Sequence, residues 1–317
     1  PTGGQVVAGQ ASIAAAGPAA TPTMTIHQTS ERAAIDWQTF NVGQQATVNF
    51  VQPGLSSVTL NRVQSGEPSQ IFGHIQANGQ VFLTNPDGIY FAPGARVDVG
   101  GLVATTHRIR VEDFMAGQLR FERDGATGSV VNAGELEARL GGYVALLAPE
   151  VRNEGVIVAR MGTAALAAGE AFDLRLEGNN TLAALRVEPS TIRSLVENRS
   201  VVLAPGGLVI LSAQAADRLH GGVIRHSGRS EATGLQARGG RLVLEASDSI
   251  DNSGRLAANG STDGPAGSVE LVAPDLANGG AIEAVGDPAN PRGGRIDLVG
   301  GEVVQRATGS LDASGPE

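Results

Sequence analysis

The chain has 317 residues, a formal net charge of -9, 41% hydrophobic residues and no cysteine. The acidic balance excludes the clustered positive charge that nucleic acid demands and disfavours anionic lipid. The lack of cysteine removes disulfides and thiolate metal sites. Aromatics make up only 3% while Gly reaches 44, so the core must consist of thin aliphatic layers joined by tight turns rather than packed rings. No apolar run is long enough for a membrane-spanning helix. No leader is visible at Pro1, which leaves a cytosolic chain or one whose signal peptide has been removed.

The first sixty residues alternate apolar and polar side chains in MTIHQ (24–28), AAIDW (33–37), ATVNF (46–50) and SVTLN (57–61). Alternation with turn residues between predicts strands, some of them in antiparallel hairpins. This segment is expected to cap whatever follows, with Trp37 and Phe50 as plugs.

Repeats begin further along. NAGELEA (132–138) answers NEGVIVA (153–159), GYVALLA (142–148) answers GTAALAA (162–168), and GLVILSA (207–213) adds another copy. GRLVLEA, GSVELVA and GRIDLVG start at Gly240, Gly267 and Gly294, a constant spacing of 27 residues. Between them recur DNSGRLAA, LANGGAIEA and RATGSLDA, with insertions such as DPANPR (287–292) in the turns. Two short strands per period with Asn/Gly corners predict a parallel β-helix, an all-β solenoid. One coil alone exposes an apolar face and unpaired backbone. Stacking at about 4.8 Å pairs the strands and buries a continuous core. Helix signals are few: EDFMAG (112–117), TIRSLVEN (191–198) and AQAADRL (213–219). The repeat pattern fails over 169–200, which is the expected excursion from the solenoid, shaped to grip a partner if the protein captures ligands.

The most specific stretch is NRVQSGEPSQIFGHIQANGQVFLTNPDGIYFAPGARVDVGGLVATT (61–106). With the opening PTGGQVVAGQASI, MTIHQTSERAAIDWQTFNVG, DFMAG and GGYVALLAPEV, it closely resembles the haemagglutination-activity, or two-partner-secretion, domain of filamentous-haemagglutinin-like bacterial exoproteins. The resemblance spans residues 1–250, with 251–317 as further repeats continuous with it. It implies a right-handed β-helix with an N-terminal β cap and extra-helical antiparallel strands. It also implies a secreted or surface-exposed, non-enzymatic adhesin with no cofactor. Such a protein loses a signal peptide, crosses the periplasm and passes an outer-membrane β-barrel transporter whose POTRA-type periplasmic domains read this domain. Folding would then be nucleated outside the cell, and a downstream region would bind a host surface or glycan. The residues singled out as the secretion motif are Asn61 and Arg62, and the turn Asn85-Pro86-Asp87-Gly88. Asp87 stands where the family's turn usually carries Asn, which costs a side-chain donor. From the residues alone, Pro86 presets φ, Asp87 can bond its own backbone and Gly88 accepts positive φ, so the turn is equally a structural joint between two strands.

Other chemistry is thin. Glu270 and Asp297 share a register one coil apart, as do Glu283 and Asp312. Stacked carboxylates can bind Ca²⁺ or share a proton, but they are also the ordinary hydrated outward positions of alternating strands. His27, His74, His107, His220 and His226 form no metal-binding spacing. The sequons at Asn179, Asn198 and Asn259 mark surface loops. The remaining alternatives are a haem-acquiring or other ligand-capturing exoprotein, and a polysaccharide-active β-helix enzyme. The chain stops at SLDASGPE, in mid-repeat, as a fragment of a longer protein would.

Overall fold

The computed structural model describes every residue except Ala19, Asn179, Asn180, Arg218 and Glu317. The first of the three sequons therefore lies outside the described residues. Three faces of parallel strands wind around one interior. The first face stacks Thr23–Gln28, Thr47–Val51 and His74–Ala77 and continues to Ser310–Asp312. The second begins with Arg32–Trp37, Val58–Val63 and Gln80–Thr84 and reaches Arg295–Val299. The third runs from Ser69–Ile71 and Ile89–Phe91 to Glu302–Gln305. The strands Arg96–Thr105 and Glu135–Leu147 bend at a corner and serve the first two faces at once. Coils are numbered from the one starting at Thr23, so coil 3 starts at His74, coil 7 at Val201 and coil 8 at Arg229.

The aligned repeats lie side by side. Leu242 pairs with Val269 and Val269 with Ile296, and Leu244 stacks on Leu271 and Leu298. The column extends back through Leu211, Leu166 and Leu146. Equivalent aliphatic side chains therefore sit on one another in successive coils. Each buried Leu or Val side chain contributes about 1.5–3 kcal/mol.

The cap is narrower than the sequence suggests. Its antiparallel strands are Gln5–Ala8 and Ala11–Ala16, which pair with Arg32–Trp37 and Thr23–Gln28 respectively. The segments at 24–28 and 33–37 are already the first coil, in parallel register with coil 2. Trp37 and Phe50 do plug the interior at 1% exposure, and Trp37 meets Phe40 edge-on at 5.5 Å. The helix expectations fare unevenly. Val111–Met115 is helical, but 191–198 contributes the buried strand Ser194–Asn198, paired in parallel on both sides. Residues 213–217 end a strand and turn. Two ladder neighbours outweigh a weak local preference.

Two excursions leave the solenoid, at 106–128 and 169–193, and both fold back over the outside of the second face. Arg120–Glu122, Ala171–Glu177 and Thr181–Glu188 form an antiparallel sheet there. Beneath it lies a second hydrophobic core of Phe82, Phe114, Phe121, Tyr143 and Phe172 with Leu60 and Leu147. Most of the aromatic rings in this ring-poor chain are spent on this outer layer and on the capped end.

The corners explain the glycines. A Cβ on Gly162 would lie 1.8 Å from the Gly142 carbonyl oxygen, and one on Gly267 would lie 1.7 Å from that of Gly240. A side chain there collides with the backbone of the coil below. At the opposite corner runs a ladder of buried amides. Asn132 donates to Asn153 and Asn153 to Asn198, each at 2.8 Å. Asn198 donates to Ser230 Oγ at 3.1 Å, and Ser230 contacts His226 Nε2 at 3.0 Å. His226 Nδ1 lies 2.9 Å from Asn252 Oδ1, and Asn252 donates to Asn278 at 2.7 Å. The direction of donation stays consistent if Ser230 donates to Nε2 and Nδ1–H donates to Asn252. His226 thus stands as one rung of an amide ladder, in the neutral form. Burial pushes its pKa down to about 4. The sequon residue Asn198 is the rung below it and is fully buried.

Two outcomes follow from these columns. Gly267→Ala should lower stability by roughly 2–3 kcal/mol, the cost of overpacking, whereas Gly54→Ala, which meets nothing within 4 Å, should be close to neutral in the same thermal unfolding measurement. The second concerns acid. With His226 at about 4 against an ordinary 6.5, the native chain binds fewer protons than the unfolded one between those values. Stability is full above that window and declines as pH falls through it, by about 3 kcal/mol for this residue. His226→Asn should keep stability at neutral pH and flatten the decline, and identical pH profiles of Tm for the two proteins would refute the assignment. The neutral His107, also pushed to about 4 by burial, should account for acid sensitivity that remains in the same pH window.

Candidate functional site

The six motif residues come together at the corner between the second and third faces, in coils 2 and 3, but they do not share one environment. Alternation along Val58–Val63 points Asn61 inward and Arg62 outward. Asn61 is fully buried. Its Oδ1 accepts from Trp37 Nε1 at 3.0 Å, and its Nδ2 donates to the carbonyls of Phe82 at 3.2 Å and Thr59 at 3.3 Å. It gives the only indole a polar partner inside the capped end. Arg62 reaches across to Asp36 in coil 1 with two bonds, Nε at 2.7 Å and Nη2 at 2.8 Å.

Asn85 is also fully buried. Its carbonyl accepts from Gly88 N at 3.0 Å and its Oδ1 from Asp87 N at 3.0 Å, which closes the turn twice. Its Nδ2 donates to Glu67 O at 2.9 Å and Ser69 Oγ at 3.0 Å, and its N–H to Thr105 O at 3.0 Å. One side chain and its backbone therefore lock coil 2, coil 3 and coil 4 together. Gly88 takes φ +126° and sits where a Cβ would lie 3.1 Å from Ser129 O. Pro86 is half-buried and accepts from Gly128 N at 3.3 Å. Asp87 alone is exposed, and its carboxylate has no hydrogen-bond partner among the described residues.

Arg62 and Pro86 open onto a cleft of about 260 Å³ that also takes in Gln64, Arg108, Arg110 and Asp124. The far wall is the first excursion. His107 anchors it, its Nε2 donating at 3.0 Å to Gly169 O of the second excursion. Arg123 grips Glu170 at 3.0 Å. Burial works against the Glu170 carboxylate, but Arg123 and hydrogen bonds from Thr191 and Ser190 hold its pKa down to about 2. At the mouth, Glu122 pairs with Arg120 at 3.0 Å and Asp124 lies 3.7 Å from Arg108, so neither acid stands free. Arg110 has no ion-pair partner among the described residues. The cleft is thus a notch with spare positive charge, walled by an element pinned in place. Sequence reasoning missed Arg108, Arg110 and Asp124, because the excursion has no period to align.

The stacked carboxylates are in register as expected, Glu270 beside Asp297 and Glu283 beside Asp312. Arginine attends them: Arg255 lies 2.6 Å from Glu283, and Arg295 lies 2.6 Å from Asp297. His220 contacts Asp217 at 2.8 Å, and His226 belongs to the buried ladder, so the two do not meet. No cluster of metal-ligating side chains occurs among the described residues.

Known proteins share this architecture. The TPS secretion domain family model matches residues 4–258. Two relatives from Haemophilus influenzae, both named heme/hemopexin-binding protein, are 35% identical over 257 residues and 33% identical over 244. The matches cover 78% and 70% of this chain but 27% and 26% of those proteins, so the chain spans about a quarter of the length of these relatives. The HMW1 secretion domain from Haemophilus influenzae superposes with a TM-score of 0.86 at 26% identity, over 100% of this chain and 84% of that one. The filamentous hemagglutinin secretion domain, at TM-score 0.50 and 15% identity over 98% and 99% of the two chains, shares the fold. The chain belongs to the family of TPS secretion domains.

Proposed function

We propose that this domain is the export address of a larger secreted or surface-exposed exoprotein. The observation that carries the reading is the family match over residues 4–258. In this reading a partner outer-membrane β-barrel transporter binds the domain through POTRA-type periplasmic domains, at the cleft edged by Arg62 and Pro86 and at the exposed Asp87 that follows Pro86 in the turn. Residues 1–250 would form the signal proper and 251–317 the start of the continuing solenoid. The capped first coil would nucleate folding outside the cell, because a sealed end with Trp37 and Phe50 in place gives the next coil a finished edge to pair with. Adhesion to a host surface or glycan would belong to the rest of the longer protein.

A second reading concerns that longer protein. The heme/hemopexin-binding relatives favour haem acquisition over adhesion as its task. Saturable binding of haem or hemopexin by the full-length exoprotein, and not by a host-cell surface, would support it.

The motif residues separate into two classes with different expected outcomes. Asn85→Ala should lower Tm and reduce export together, since a buried residue that ties three coils is lost at a cost of about 2–3 kcal/mol. Asp87→Arg and Arg110→Glu should leave Tm unchanged and still cut the secreted fraction several-fold when the chain is co-expressed with its transporter. Wild-type export of both surface variants would remove the cleft from the recognition step.

A further inference from the structure

The outer sheet over the second face stops before the solenoid does. Its last strand, Thr181–Glu188, pairs only with Ala171–Glu177 among the described residues, so its other edge is open. Each strand of this sheet lies across the second face and buries apolar side chains against it. The next position in the series falls over coils 7 and 8. There, instead of a strand, a groove of about 250 Å³ runs between Leu185 and Val187 on one side and Ile210 and Val243 on the floor. All four are half-buried. The strand carries no proline, and Arg186 is its only charge before Glu188. Devices that normally blunt an exposed edge are therefore sparse.

We infer that this groove receives one extended β-strand from another polypeptide, added to the free edge of Thr181–Glu188. The added strand would be a fourth member of the covering sheet. Main-chain hydrogen bonds would hold it, and alternate side chains would reach the solenoid floor. The charges on that floor state which side chains fit. Along Arg241–Ala246 the outward positions are Arg241, Val243 and Glu245. Arg241 and Glu245 have no ion-pair partner among the described residues, and they flank the apolar centre made by Val243 and its neighbour Ile210. The matching strand carries an acid, an apolar residue and a base at alternate positions, with the acid over Arg241 and the base over Glu245. This surface begins four coils beyond Pro86 and is independent of the export reading.

The probe is a fluorescein-labelled peptide, Ser-Asp-Thr-Val-Thr-Lys-Ser, titrated with the whole chain and followed by anisotropy and hydrogen exchange. Saturable binding is expected, with slowed exchange in 181–188. Replacing the peptide's Asp and Lys by Ser should weaken binding at least five-fold, and proline for its central Val should abolish it. Val243→Arg should weaken binding at least ten-fold with Tm unchanged. Arg241→Ser, at an exposed position on the rim of the groove, repeats the test if the first variant unfolds. Absence of saturation, or protection appearing elsewhere, overturns the proposal. So does a concentration-dependent dimer that protects 181–188 without peptide, which would assign the edge to a second copy of the chain.

Discussion

Parallel stacking at about 4.8 Å is the constraint on which the rest of this molecule depends. It places every residue directly over its counterpart in the next coil, so each position must be compatible with a copy of itself. Aliphatic residues meet that condition by packing, as in the Leu211, Leu244, Leu271 column. Glycine meets it at corners where carbonyl oxygens occupy the space of a Cβ, as between Gly240 and Gly267. Asparagine meets it because its side chain both donates and accepts, so a column of amides satisfies itself without water. Charged residues are the awkward case. Carboxylates that share a column repel, and the chain answers by threading arginine between them, as Arg255 sits between Glu231 and Glu283 two coils apart. With lysine absent, every such neutralisation uses a planar guanidinium that can bond two carboxylates at once.

The same condition decides how much was legible in the sequence. Segments that obey the period were readable to the residue: the starts at 240, 267 and 294 lie side by side as their spacing requires. A further signal was present and went unused. Strands 143–147 and 163–168 are continuous apolar runs, whereas 241–246 alternates. A continuous run means both faces are covered, and the covering sheet lies over the first two and stops short of the third. The amide ladder was visible as Asn two residues before Gly at 132, 153, 252 and 278. His226 hid one rung, because an imidazole substitutes for an amide only when its tautomer suits both neighbours. The helix expectations at 191–198 failed for a related reason. Local preference cannot report that a segment will be flanked by ladders on both sides.

What the sequence could not reveal is the wall of the cleft. Arg108, Arg110 and Asp124 belong to an excursion with no period, and their position depends on His107, Gly169, Arg123 and Glu170 meeting across more than 40 residues of chain. Excursions are where a solenoid acquires individuality. The regular coils repeat one surface. Only a break in the repeat can present a unique one, so both candidate docking surfaces of this protein border the excursion layer.

This separates two meanings of a motif. Asn61 and Asn85 are the most recognisable residues of their segments, and both are sealed from solvent, bonding indole, hydroxyl and carbonyl groups across coils 1 to 4. Their neighbours Arg62 and Asp87 are the ones that face outward. A partner that binds the folded domain reads the neighbours, while the asparagines fix where those neighbours stand. A partner that binds the chain before it folds would meet all four as an extended strand, with no cleft at all. The geometry of Arg110 and Asp124 distinguishes these cases, because those two residues approach Arg62 only after coil 4 and its excursion have closed over coil 2.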